Sequence, residues 1–180
     1  MATGRTRNKS QTNLTFQPHP LARNKHIQTI APNLLPSQDK AICRSAQEMI
    51  LELKEGTRLQ GFYSPQPQKS KGIFLLLSGW LGSAHSNYVL NTGEHLYQNG
   101  YSVFRLNFCD HGRTEHLNRK PFRPDHLDEV YKAAHDIAQL ESDHPFYIVG
   151  FSLGGNFGLR LVWKHSQTPL PNLEQVVVFS

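Results

Sequence analysis

Gly150-Phe151-Ser152-Leu153-Gly154 sets a serine between two glycines at G-x-S-x-G spacing, the pattern in which a nucleophilic hydroxyl is held clear of a sheet on a strained strand-to-helix turn. Both glycines serve that chemistry. Chain on either side of such a serine passes so close to neighbouring backbone that a Cβ would clash, and the turn's torsions cost about 1–3 kcal/mol. At ordinary Gly and Ser usage the three fixed positions match by chance in about 0.06 of chains this long, so context must decide. An apolar run, Phe146 to Val149 after Pro145, precedes the match, and Leu153, Phe157 and Leu161 follow at helical spacing. The expectation is a strand, a bend with Ser152 as nucleophile, and a helix. The bland alternative is a glycine-rich βα turn that binds nothing.

The remaining reactive side chains are less ordered. His85, His111 and His116 fall in two polar stretches, Ser78 to Asn87 and Phe108 to Pro124, and His85 and His111 are candidates to line a pocket. Asp110, His111 and His116 have the elements of a loose metal set, but no two share a helix face at HxxxH spacing, so no metal site is expected. Cys43 and Cys109 stand apart in no redox or metal spacing, which suits a reducing, cytoplasmic compartment. Asp125 is expected to cap a helix rather than act as an acid.

A chain of 180 residues, 38% hydrophobic and 18% charged, suits one domain able to bury a core. No stretch approaches the roughly 18 apolar residues of a membrane span, and Met1 to Arg7 has no apolar segment behind its charges, so it is not a secretory signal. The net charge of +5 is local. Arg5, Arg7, Lys9, Arg23 and Lys25 are the only charged residues before Asp39, and the 14 remaining basic residues match 14 acidic ones. A basic arm of this kind is a solvated tail more often than a nucleic-acid site; a transient contact with an anionic membrane stays open, and no nucleic-acid partner is expected.

Residues 1–15 are expected to be a disordered basic tail, and 16–36, rich in proline, an irregular wrap with a helical turn near Asn24 to Ile30. Glu48 to Leu53 and Arg58 to Tyr63 flank a Gly-containing turn and predict an antiparallel hairpin. Gly72 to Leu77 is continuously apolar, as strands of a parallel sheet buried on both faces are. A helix over Ser86 to Gln98 follows, capped by Ser83 or Ser86 and stopped by Asn99-Gly100, then a strand over Tyr101 to Asn107. The clearest helix begins at Asp125, where Leu127, Val130, Tyr131, Ala134, Ile137 and Ala138 form one apolar stripe. After the serine strand and a helix to about His165, Gln175 to Ser180 reads as a last strand. This succession predicts an α/β fold, a mostly parallel central sheet with an antiparallel N-terminal hairpin and helices on both faces. Ligands then gather at the C-terminal strand edge, where the loops at Ser78, Phe108 and Ser152 meet.

At this point the chain resembles an α/β-hydrolase three-layer sandwich, and more narrowly the YheT-like hydrolases related to abhydrolase-domain esterases. Three segments carry the likeness: Pro20-Leu21-Ala22-Arg23-Asn24-Lys25-His26-Ile27-Gln28-Thr29-Ile30, the bend Gly150 to Asn156, and Asn107-Phe108-Cys109-Asp110-His111-Gly112. The resemblance implies a serine hydrolase acting on a small-molecule carboxylic ester, of short or medium acyl chain or a monoacylglycerol, without a cofactor. It assigns the oxyanion donors to the backbone N–H groups of Leu153 and Trp80. Where the family usually has His-Gly before the second donor, this chain has Ser78-Gly79. A catalytic acid and then a histidine should follow the serine in chain order, yet after Ser152 only Glu174 is acidic and only His165 is a histidine. The chain is therefore expected to be the N-terminal part of a longer hydrolase, inactive alone. A hydrolase-like binding or scaffolding protein and an acyltransferase using the same serine are the alternatives.

Overall fold

Apolar runs too continuous to leave a polar face force their strands between layers, and that is where they lie in the computed structural model, which describes residues 40–53 and 56–180. The expected tail, the proline-rich wrap and its helical turn, and the Pro20 to Ile30 segment lie outside the described residues. A short helix α1 (Ala41–Arg44) leads into β1 (Gln47–Glu52) and β2 (Arg58–Ser64). Then come β3 (Ile73–Leu77), α2 (Asn87–Gln98), β4 (Ser102–Leu106), α3 (Leu127–Ala138), β5 (Phe146–Phe151), α4 (Leu153–His165) and β6 (Leu173–Phe179). The six strands form one sheet in the order β1-β2-β4-β3-β5-β6. β1 and β2 pair antiparallel, β2 is antiparallel to β4, and β3 to β6 run parallel.

Side chains alternate between two cores. Ile73, Leu75 and Leu77 of β3 share one face with Phe104, Leu106, Phe146 and Ile148 beneath α3 and α4, while Leu76 packs with Val103, Val149, Ile42 and Val89 on the face of α1 and α2. α3 turns Val130, Ala133, Ala134, Ile137 and Ala138 inward, close to the expected stripe; Leu127 and Tyr131 are half-buried at its rim. At about 1.5–3 kcal/mol for a large aliphatic side chain taken from water, this burial and not helix propensity holds α3.

Chain order reverses at β3: the chain steps to β4 on one side and then to β5 on the other. Such a switch point leaves a crevice at the C-terminal strand ends, and register levels those ends, with Leu77 opposite both Leu106 and Gly150. Three boundaries differ from expectation. β6 begins at Leu173, so Glu174 lies within the strand. Ser86 occupies the N-cap position of α2, but its hydroxyl caps no helix N–H and accepts the Ser83 N–H instead (2.9 Å). Asp125 does not cap α3, whose N-cap is His126, because the Asp125 carboxylate is held by both arms of Arg123 (3.1 and 2.6 Å). Among the described residues no helix is long and apolar enough to cross a membrane.

Candidate active site

β5 ends at Phe151 and α4 begins at Leu153, so Ser152 alone makes the bend, with φ 50° and ψ −110°. A left-handed φ is costly for any residue with a Cβ. It is imposed here by contacts on both sides. The Ser152 N–H donates to the Phe179 carbonyl on β6 (2.7 Å), the Gly154 N–H to the Ser78 carbonyl beyond β3 (3.0 Å), and the Asn156 N–H to the Ser152 carbonyl (2.9 Å). The flanking glycines are demanded by close approach. A Cβ on Gly150 would stand 2.2 Å from the Gly154 carbonyl oxygen, and one on Gly154 would stand 2.3 Å from the Leu77 carbonyl oxygen. Ser152 itself is exposed, and its hydroxyl makes no hydrogen bond among the described residues.

The loop after β3 runs beside it. A Cβ placed on Gly79 would lie 3.4 Å from the Ser152 Cβ. Gly79 to Trp80 to Leu81 to Gly82 is a tight turn closed by the Gly82 N–H on the Gly79 carbonyl (2.9 Å), with Leu81 at φ 56°, the positive value a type II turn needs at its third residue. The Gly79 N–H donates to the Tyr88 hydroxyl (3.0 Å). Among the described residues the N–H groups of Trp80 and Leu153 donate to nothing. The Trp80 ring meets His111 and Phe122 edge-on, at 5.8 and 5.7 Å between centroids, and remains 59% exposed.

Neither histidine singled out in the sequence contacts Ser152. His85 is exposed and sits edge-on to Phe62 (4.5 Å); partial burial and then the nearby Arg105 guanidinium hold its imidazole below the ordinary pKa. His111 is buried among Trp80, Phe108 and Phe122, with Nδ1 on the Cys109 carbonyl (2.8 Å). Since a carbonyl only accepts, Nδ1 carries a proton, and Nε2 is buried with no hydrogen-bond partner among the described residues. Asp110 accepts the Phe122 N–H through Oδ2 (2.7 Å) and the Cys109 thiol through Oδ1 (3.5 Å), so it folds its own loop. Cys109 is buried, and burial followed by Asp110 pushes its thiol up to about 12. A cavity of about 590 Å³ opens between Leu53, the first turns of α3 and Lys164, and none of these residues lines it.

Two buried residues hold the loop in roles the sequence did not mark, although Asn107 opens one of the segments that carry the family likeness. Asn107, fully buried, accepts the Ala84 N–H (2.7 Å) and donates to Gln60 Oε1 (2.8 Å), and Arg105, also fully buried, donates from Nη1 to the Ala84 carbonyl (3.0 Å). Together they fix both ends of one buried residue. Tyr88 reads in the sequence only as one position of an amphipathic helix.

Comparison with known proteins identifies the fold. A protein of Synechocystis sp. bearing the name "putative esterase" is 32% identical over 115 residues, 61% of this chain and 31% of its own length. Among solved structures, a thermostable carboxyl esterase from Bacillus coagulans superposes with a TM-score of 0.57 at 13% identity, over 74% of this chain and 44% of that one. A serine hydrolase without a lid from Xanthomonas campestris gives 0.59 at 17%, over 74% and 70%. An esterase from an Arctic intertidal metagenomic library gives 0.58 at 21%, over 79% and 64%. The chain thus spans about a third of the curated relative it matches. A family model described as the alpha/beta hydrolase fold matches residues 72–173, from the start of the first parallel strand past the serine bend, and with more than half of its length inside that match the chain belongs to the α/β-hydrolase family.

Proposed function

We propose that this chain carries the nucleophile of a serine ester hydrolase. The observation that supports it most is the backbone of Ser152: an exposed serine at φ 50° between a strand and a helix, a conformation that costs about 1–3 kcal/mol. Ser152 Oγ attacks the acyl carbonyl, its proton passing to a base; the C–O bond to the alcohol breaks as that proton is returned, and water then releases the acid from the acyl-serine. The N–H groups of Leu153 and Trp80 take the developing oxyanion, helped by the positive end of α4. The acid and the base come from residues outside those described, and the chain alone is slow because, among the described residues, the Ser152 hydroxyl has no base bonded to it. A small-molecule ester of short or medium acyl chain is the proposed substrate, and a cytoplasmic location fits the two free cysteines.

A fluorophosphonate probe tests the reading in the protein as the cell makes it. Labelling and p-nitrophenyl butyrate hydrolysis are both expected, and both are lost in Ser152→Ala. A wild-type protein that neither labels nor turns over is instead a binding or scaffolding member of the family, and one whose product is a new ester when an alcohol is supplied is an acyltransferase.

A further inference from the structure

We infer that Tyr88 is a positioning residue for the reaction, holding the Gly79–Gly82 turn at a fixed distance from the serine bend; this rests on the ester-hydrolase reading above. Tyr88 stands in the first turn of α2 and touches both halves of the site. Its hydroxyl oxygen accepts the Gly79 N–H (3.0 Å). That bond occupies the Gly79 amide, while the Trp80 N–H beside it donates to nothing among the described residues and is open to the oxyanion. The socket is close-fitting: a methyl on Gly82 would lie 2.4 Å from the Tyr88 oxygen. At its other end the Tyr88 ring meets Phe151 edge-on (4.9 Å, 63°). Phe151 stacks on Phe179 (5.2 Å, 11°), the residue whose carbonyl receives the Ser152 N–H. One rigid side chain therefore spans from the residue before one oxyanion donor to the residue before the nucleophile. Oxyanion donors act only when they stand about 2.7–3.1 Å from the developing charge, so a spacer that prevents the turn from drifting acts on the transition state and not on substrate binding.

Two substitutions release the same contact by different routes. Tyr88→Phe removes the hydroxyl and keeps the ring. Gly82→Ala leaves Tyr88 intact but occupies its socket, the new methyl also standing 3.0 Å from the Gly79 carbonyl oxygen; the φ of Gly82 is not positive, so alanine's torsions are allowed there. In p-nitrophenyl butyrate hydrolysis by the full protein, each is expected to lower kcat on the order of 10- to 10²-fold, below the loss from deleting a donor outright, with KM changed less than about threefold. The double variant should be no slower than either single one, because both remove one contact. Tyr97→Phe, which deletes a hydroxyl bonded to the Pro65 carbonyl, is the control and should keep wild-type kcat. Wild-type kcat in both Tyr88→Phe and Gly82→Ala, additive losses, or a rise in KM with kcat intact would overturn the assignment. Should Tyr88→Phe fail to fold, Gly82→Ala alone decides on the same criteria. Activity persisting in Ser152→Ala overturns this inference together with the reading beneath it, whereas an inactive Ser152→Ala beside an unimpaired Tyr88→Phe and Gly82→Ala overturns only the role of Tyr88.

Discussion

A hydroxyl on a strained bend is held there by what its neighbours lack. Gly154 has backbone on both sides, so the 2.3 Å approach of an added methyl to the Leu77 carbonyl has no flexible side chain to absorb it. Gly154→Ala is expected to cost at least about 1–3 kcal/mol, the range for overpacking a filled site, and to abolish fluorophosphonate labelling. Urea denaturation at wild-type midpoint would show that the bend is looser than described. Cys109 gives a pH-dependent case. Its folded thiol keeps its proton up to about 12, while an unfolded one releases it near 8.5. Above that pH the unfolded chain binds fewer protons than the folded one, so stability is full below about pH 8.5 and falls as pH rises toward 12. Cys109→Ala should flatten that decline in urea titrations at pH 8 to 10. The same protonation makes Cys109 inert to iodoacetamide in the native protein, while exposed Cys43 reacts.

Elements place these residues through their ends more than their lengths. β4 stops at Leu106, and the next side chain, Asn107, turns back to hold the loop after β3 by the Ala84 N–H. Asn107→Ala leaves that buried amide, 1% exposed at its residue, without its acceptor, which should cost about 1–3 kcal/mol in thermal or chemical unfolding. A variant as stable as wild type would mean that water reaches the loop. Periodicity announced the middles of α3, β3 and β5, though not the short α1. The apolar stripe of α3 and the unbroken runs of β3 and β5 are local consequences of facing a core, and appear as local spacing. Caps were less legible. Asp125 has the residue type of an N-cap, but its carboxylate is bound to the guanidinium fork of Arg123, two residues away, and the cap position falls to His126.

At the scale of the molecule the two sheet edges differ. β1 carries Glu48 and Glu52 among its exposed residues, charges that discourage pairing with another chain. β6 pairs only with β5 among the described residues and exposes Val178 at 38% and Phe179 at 53%. The 180-residue chain by itself is therefore expected to associate as its concentration rises, and Val178→Lys to shift it toward monomer, both read by size-exclusion chromatography with light scattering. A wild-type chain that stays monomeric at high concentration would show that the edge is covered.

The sequence by itself determined the α/β class, the parallel strands and the place of the bend at Ser152, because each is written in spacing over a few residues: an apolar run for a doubly buried strand, two glycines where backbone crowds backbone. Only the tertiary structure decided that the Phe179 carbonyl holds the Ser152 amide, that Tyr88 sits in the turn at Gly82, and that His111 is walled in by Phe108, Phe122 and Trp80. Most of those contacts join residues well separated in the chain, 27 positions for Ser152 and Phe179 and 31 for Trp80 and His111. Nothing in any one stretch encodes them, since they follow from which strands become neighbours once the whole sheet buries its two faces.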